Sequence, residues 1–468
     1  MDCGGTRRKR ERCEDSSDAK RESGIDDLPD EILVSILSRL SLKEAERTSV
    51  LSRRWRYLWT FTSGSLEFDA WNTKKGTPMS RKGFREWVNH VLELHENDQI
   101  DSFIVRFQVL WAARFLDNWI ICALKKQPRN FELNLSLEPI VRRGYEFFKL
   151  PELTKHGLQS AFGNLKSLEL ASVDITDEMI HYVAASCCMS LERLSICASY
   201  STQSLKLIDP MPKLKFLSIC QCLNIKSVDV SVASLVSFTY SGTAIALSIK
   251  QCSNLNELEL GGGLSPSFLF GADKYLGDSI HLERLSFDLP YLFGEIPREI
   301  VSINLPHYQS LKHLEITAMS VIWRSLLFFT MLIKTCPLLE EFKIEVGYTL
   351  DPQMERAVLF PDVQAAEAPK FHHTNLKRVG FEGYIGCPSN NEFLIQLFKI
   401  AVSLQEMTID TRNNDFLILA YDARRLKNIR RWIEQIPCTY AGSREEAKKM
   451  AEEMCSSLHL KKPQVIIS

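Results

Sequence analysis

The residues of this 468-residue chain whose types could do chemistry are its thirteen cysteines, its ten histidines and one glycine triplet. Zinc sites place about two to four residues between the cysteines of a pair. The nearest grouping here, Cys187 and Cys188 with Cys220 and Cys222, does not follow that spacing, so we read these thiols as structural. Gly261-Gly262-Gly263 follows an apolar run as a phosphate loop would, but it lacks the lysine and hydroxyl residue that engage phosphate and magnesium. Turn formation accounts for it. His372 and His373 are read as loop residues, and nowhere does a nucleophile stand beside a base or a His-Glu zinc motif occupy a helix. The sequence therefore predicts no catalytic residue, no metal and no cofactor. Its chemistry is expected to be recognition.

Apolar side chains that could grip a partner are concentrated after Ile25. Asp26 and Asp27 can cap a helix, Pro29 suits its first turn, and Leu28, Ile32, Leu33, Ile36, Leu37 and Leu40 follow at helical spacing. Ser41 with Glu44 forms a capping box for a second helix holding Ala45, Val50 and Leu51, and a third would carry Trp55, Leu58 and Trp59. Three helices in about 40 residues make an undersized core, which gains stability by docking on something else. The aliphatic stripe fits the mode in which a helix enters a partner's groove. Arg53, Arg54 and Arg56 are read as a solvated face of the third helix rather than a phosphate site. From Met1 to about Ser23 the chain is too polar to bury a core and is expected to be a disordered tail, in which Arg7-Arg8-Lys9-Arg10 resembles a nuclear-import patch.

A repeat positions the other recognition residues. Leucine, two residues, apolar, one residue, apolar recurs at Leu165/Leu168/Leu170, Leu191/Leu194/Ile196, Leu214/Leu217/Ile219, Leu235/Phe238/Tyr240 and Leu255/Leu258/Leu260. It continues at Leu282/Leu285/Phe287, Leu311/Leu314/Ile316, Leu339/Phe342/Ile344, Leu376/Val379/Phe381 and Leu404/Met407/Ile409. Most copies stand roughly 20 to 29 residues apart, the period of leucine-rich repeats. Each copy predicts a short strand whose later two apolar residues point inward while the residues between them line a concave face. Helical returns such as Asp177 to Ala185 and Trp323 to Thr335 would cover the convex side. The apolar runs Phe103 to Phe107 and Phe131 to Leu135 continue the rhythm toward the N-terminus. The expected fold class is α/β, a small three-helix unit followed by a solenoid with short parallel strands on its concave face. Candidates for binding a target are Arg193, Phe216, Glu257, Glu259, Arg284, His313 and Glu315, joined in later repeats by Glu341, Lys343, Arg378 and Glu406. A surface of alternating sign with one aromatic suits a protein better than a phosphate backbone.

Lys and Arg number 57 against 58 Asp and Glu, a formal net charge of -1, so no global field draws the chain to nucleic acid or an anionic membrane. No run of about 18 apolar residues occurs, and no membrane span is expected. A first stretch with no apolar signal segment, together with scattered cysteines, leads us to expect a reducing compartment, nucleus or cytoplasm.

Leu28-Pro29-Asp30-Glu31-Ile32-Leu33, then Ile36-Leu37, then Ser49-Val50-Leu51-Ser52-Arg53-Arg54-Trp55-Arg56-Tyr57-Leu58-Trp59 closely resembles the F-box of the plant F-box/leucine-rich-repeat proteins. Leu66-Glu67-Phe68-Asp69 and Asp117-Asn118-Trp119-Ile120 are similar to segments of the same group, and Leu376 to Ile409 resembles the FBD region of many members. The resemblance implies a non-catalytic substrate-recognition subunit of a cullin-RING ubiquitin ligase that joins a Skp-type adaptor and presents a target protein. It maps adaptor contacts onto Leu28, Pro29, Ile32, Leu33, Ile36 and Trp55. Ser41 stands where many members have proline, and its capping box can start the helix instead. The expected domains are a tail at 1–23, the F-box at 24–64, the solenoid at 65–375, FBD-like final repeats at 376–420 and a helical cap at 421–468. Ala423, Leu426, Ile429, Trp432 and Ile433 are the cap's apolar positions. The alternative is a repeat scaffold that binds proteins outside any ligase.

Overall fold

The computed structural model describes residues 24–71, 79–108, 115–135, 145–208, 210–271, 274–277, 281–289, 305–349, 358, 362–363, 370–411, 441, 443–458 and 463–468. The expected tail with Arg7 to Arg10, and the cap positions from Ala423 to Ile433, lie outside them.

Three short helices come first: α1 (Asp30–Leu37), α2 (Leu42–Arg47) and α3 (Trp55–Leu58). Ser41 caps α2 as its spacing predicts, its hydroxyl accepting the Glu44 N–H at 3.4 Å while the Glu44 carboxylate accepts the Ser41 N–H at 3.0 Å. The entry to α1 differs from expectation. Asp26 and Asp27 lie in a separate 3-10 turn (Ile25–Asp27) and cap nothing in α1, because Pro29 holds Leu28 extended at ψ 145°. α2 also stops early, at Arg47, where Thr48, Ser49 and Val50 follow as a 3-10 turn of poor helix formers.

From Ser65 the chain winds as a solenoid. β1 (Ser65–Asp69), β2 (Ser102–Arg106) and β3 (Asn130–Asn134) are linked through α4 (Arg81–Leu94) and α5 (Phe115–Lys125). β4 (Tyr145–Glu146) and α6 (Leu150–Lys155) lead to β5 (Ser167–Ala171), and β6 (Val173–Asp174) and α7 (Asp177–Ser186) lead to β7 (Arg193–Cys197). Then come β8 (Ser204–Ile208), β9 (Phe216–Cys220), β10 (Ser227–Ser231), β11 (Ser237–Gly242), β12 (Ala246–Ile249) and β13 (Glu257–Gly262), joined without a helix. α8 (Leu264–Leu269) precedes β14 (Arg284–Leu289), and α9 (Phe328–Lys334) connects β15 (His313–Val321) to β16 (Glu341–Thr349). α10 (Pro388–Ile400) joins β17 (Arg378–Glu382) to β18 (Glu406–Asp410), and α11 (Arg444–Ser457) precedes β19 (Gln464–Ile467).

Among the described residues fourteen strands make one parallel sheet in the order β1-β2-β3-β5-β7-β9-β11-β13-β14-β15-β16-β17-β18-β19, while β8, β10 and β12 form a second sheet and β4 pairs with β6. All ten predicted copies lie in the larger sheet. Their inward residues align across strands, Leu168 beside Leu194, Leu217, Phe238 and Leu258. The two outer strands lie outside the ten-copy repeat pattern. Leu66 and Phe68 furnish the inward residues of β1, and Val465-Ile466-Ile467, placed in a helical cap, form β19, as suits β-branched residues. One connected core follows the array, with Trp119, Phe131, Phe162, Phe238, Phe268 and Phe328 fully buried along it.

The three-helix module is seated firmly on the solenoid. The carbonyls of Thr60, Phe61 and Ser63 accept from Glu96 N–H at 2.9 Å, Asn97 Nδ2 at 2.7 Å and Asp101 N–H at 2.9 Å. His95 Nε2 lies 2.9 Å from the carbonyl of Thr62 in the same seam. Gly64 packs so closely there that a Cβ would come 2.2 Å from the carbonyl oxygen of Ser38.

Candidate functional site

Two surfaces carry the predicted site residues. On the three-helix module, α1 divides its aliphatics between opposite faces. Leu33 is 0% exposed and Trp55 3%, which corrects the expectation that they meet a partner. Leu33 and Leu37 are one turn apart and form the inward stripe, and Trp55 closes against the same core with its indole N–H donating to Asp26 at 2.6 Å. Pro29, Ile32 at 48% exposure and Ile36 remain outward, and Leu28 is half-buried. The module also exposes Val50, Leu51 and Tyr57. Val50 and Leu51, expected in the second helix, lie beyond the end of α2. Exposed aliphatics this concentrated mark an interaction surface.

The second surface is the outward face of the large sheet. Register sets its side chains in rows. One runs through Arg193, Phe216, Ser237, Glu257, Arg284, His313, Glu341, Arg378 and Glu406, and the next through Glu259, Ser286, Glu315 and Lys343. All seven predicted target residues therefore share this face. Glu257, Glu259, Arg284, His313 and Glu315 line a depression of about 340 Å³ together with Glu341 and Lys343. Arg193 and Phe216 stand apart from it, the guanidinium 4.2 Å from the ring centre.

Cross-strand ion pairs lace the face: Arg284 to Glu257 at 3.4 Å, Arg378 to Glu341 at 2.8 Å, and Lys343 to Glu315 and Glu382 at 3.0 and 3.1 Å. The signs do not balance. From β13 to β18, the carboxylates of Glu257, Glu259, Asp288, Glu315, Glu341, Glu345, Glu382 and Glu406 share the face, among the described residues, with only three permanent cations, Arg284, Lys343 and Arg378. Among the described residues Glu259 has no cation beside it and accepts from the Thr239 hydroxyl at 3.2 Å. Partial burial, with Glu259 and Glu345 nearby, pushes the Asp288 carboxyl above the usual carboxylate range. The face is acidic where the sequence analysis expected alternating sign. Asp288, Glu345 and Glu382 made the difference, each lying one residue past the last apolar position of its repeat, Phe287, Ile344 and Phe381.

Among the described residues the buried thiols are packing groups. Cys187 and Cys222 are buried, which pushes each thiol up to about 12. Among the described residues no three His, Cys, Asp or Glu side chains are grouped to hold a metal. His373 is buried and ties repeats together, Nε2 lying 2.9 Å from the Cys336 carbonyl while Nδ1 accepts the Leu376 N–H at 3.1 Å. Gly262, at φ 76°, is where the chain leaves β13.

A family model of the F-box domain matches residues 25–62, and the model described as At1g61320/AtMIF1, LRR domain, matches residues 152–439. The chain is an F-box/leucine-rich-repeat protein. The F-box/LRR-repeat protein At3g58880 of Arabidopsis thaliana is 31% identical to it over 231 residues, which is 44% of this chain and 48% of that relative. The FBD-associated F-box protein At1g61330 of the same plant is 23% identical over 427 residues, 83% of this chain and 91% of the relative. Its F-box protein At3g58860 is 25% identical over 348 residues, 69% and 74% of the two chains. This F-box/LRR protein thus carries two interaction domains in one chain and is a protein-interaction adaptor.

Proposed function

We propose that the protein is a substrate-recognition subunit of a cullin-RING ubiquitin ligase, its F-box docking on a Skp-type adaptor and its repeats holding a target protein. One observation carries this reading: Pro29, Ile32 and Ile36 face outward from a module whose own core Leu33, Leu37 and Trp55 already close. The seam between module and solenoid supports it, since a fixed seat keeps adaptor and target at a constant separation. The ubiquitin chemistry belongs to the other subunits. The surplus of carboxylates from β13 to β18 favours a target segment rich in lysine or arginine, because complementary charge selects partners and speeds encounter. Assembly would take place in the nucleus or cytoplasm.

The test is a titration of purified Skp-type adaptor against the full-length protein and its Ile32→Glu/Ile36→Glu variant, with folding checked by circular dichroism. Losing two exposed isoleucines that the adaptor would cover is expected to weaken binding by roughly 100-fold or more. Failure of the unaltered protein to bind, under conditions where an authentic F-box protein does, would leave it a repeat scaffold acting outside a ligase.

A further inference from the structure

We propose that Arg54 is a positioning residue for adaptor docking, bolting the segment from Asp26 to Asp30 onto α3 so that Pro29, Ile32 and Ile36 are presented as one preformed surface. The inference rests on the adaptor-docking reading above.

That segment has little to hold it in place by itself. The Ile25–Asp27 turn buries none of its residues, and α1 begins after Pro29 without a side-chain cap. Its order comes from two adjacent residues at the start of α3. Arg54 Nε donates to Asp30 Oδ1 at 2.7 Å, Nη2 lies 2.6 Å from the same oxygen and donates to the Leu28 carbonyl at 2.5 Å, and Nη1 donates to the Asp26 carbonyl. Trp55 Nε1 donates to the Asp26 carboxylate. Four acceptors in five consecutive residues are thus gripped from one side.

The ion pair alone would count for little, since both partners are well exposed. What distinguishes the contact is that one planar guanidinium satisfies a carboxylate and two backbone carbonyls at once, which fixes the path of the chain through Leu28 and Pro29. A lysine ammonium is a point charge and cannot reproduce the fork. Arg54 therefore acts by raising the fraction of molecules whose docking face is already formed, and apparent affinity scales with that fraction. Arg53 and Arg56, its neighbours in the basic run, are exposed and make no comparable contact with this segment.

The experiment compares adaptor binding by the full-length protein, Arg54→Ala, Arg54→Lys and Ile32→Glu, recording association and dissociation rates, with amide hydrogen exchange of residues 25–30 in the unbound proteins. Arg54→Ala is expected to bind roughly tenfold or more weakly, through slower association at unchanged dissociation. Amides of residues 25–30 should exchange faster, and Arg54→Lys should recover only a minor part of the loss. Wild-type affinity in Arg54→Ala, or a loss confined to dissociation with exchange unaltered, would overturn the proposal while leaving the docking reading intact. If Arg54→Ala does not fold, Arg54→Lys decides alone, and wild-type rates in it overturn the proposal. If the unaltered protein binds no adaptor, the docking reading fails and the proposal with it.

Discussion

His95 shows how one side chain couples the two interaction domains. It sits in the seam between F-box and repeats, and burial, aided by the Lys126 charge, lowers its pKa to about 4 from 6.5. The unfolded chain then binds the extra proton first, so this contribution to stability is complete above pH 6.5 and is lost as pH falls toward 4. At pH 5 the loss is on the order of 2 kcal/mol relative to pH 7. His95→Gln, which keeps a donor for the Thr62 carbonyl, should show a correspondingly smaller fall in the denaturant midpoint between pH 7 and pH 5; equal falls in both proteins would exclude the effect. The sequence shows that position 95 holds a histidine but not that it is buried, since the burial arises from chain segments far apart. The same limit explains the docking residues. Ile32, Leu33, Ile36 and Leu37 make both faces of α1 apolar, so periodicity locates the helix and leaves undecided which stripe turns inward.

Elements were more legible, because each repeat carries its own local signal. Spacing even forecasts the kind of return. Arg193, Phe216, Ser237 and Glu257 share a register and stand at intervals of 23, 21 and 20 residues, and strands make the returns between them. Arg284, His313 and Glu341 stand 29 and 28 apart, and the latter interval holds α9. A helix and its caps need more chain than a single extended segment. The exit from the sheet is equally regular: Ser172, Ala198, Gln221, Gly262 and Gly383 each follow five residues after their strand begins, all with φ between 54° and 83°. An L side chain is strained there, so Ala198→Gly should raise stability by roughly 0.5–1 kcal/mol. Gly383→Ala should lower it by more, because the new Cβ would meet the Val346 carbonyl oxygen at 2.2 Å. Thermal denaturation of both variants checks the pair, and a destabilised Ala198→Gly would refute the strain argument.

At the scale of the whole molecule, charge is sorted in a way that composition conceals. A chain of net charge -1 gathers its surplus carboxylates on the arm from β13 to β18. Replacing Glu259 and Glu345 by lysine should therefore weaken capture of a basic target segment and flatten its salt dependence, while the same exchange at exposed Glu445 and Glu452 of α11 should not. Isothermal titration with a decalysine peptide at two salt concentrations distinguishes the pairs, and equal effects would remove the arm from β13 to β18 as the charged site.

The strand returns also govern curvature. β8, β10 and β12 recur at the strand spacing of about 4.8 Å, the same as the sheet they back. A helical return is about 10 Å across, so a layer of helices is wider than the strands it covers and bends the array. Two layers of equal width run straight. Between β7 and β13, where strands make the returns, the array is accordingly expected to bend less than where helices make them, and the number of strand returns there sets how far the acidic arm stands from the F-box.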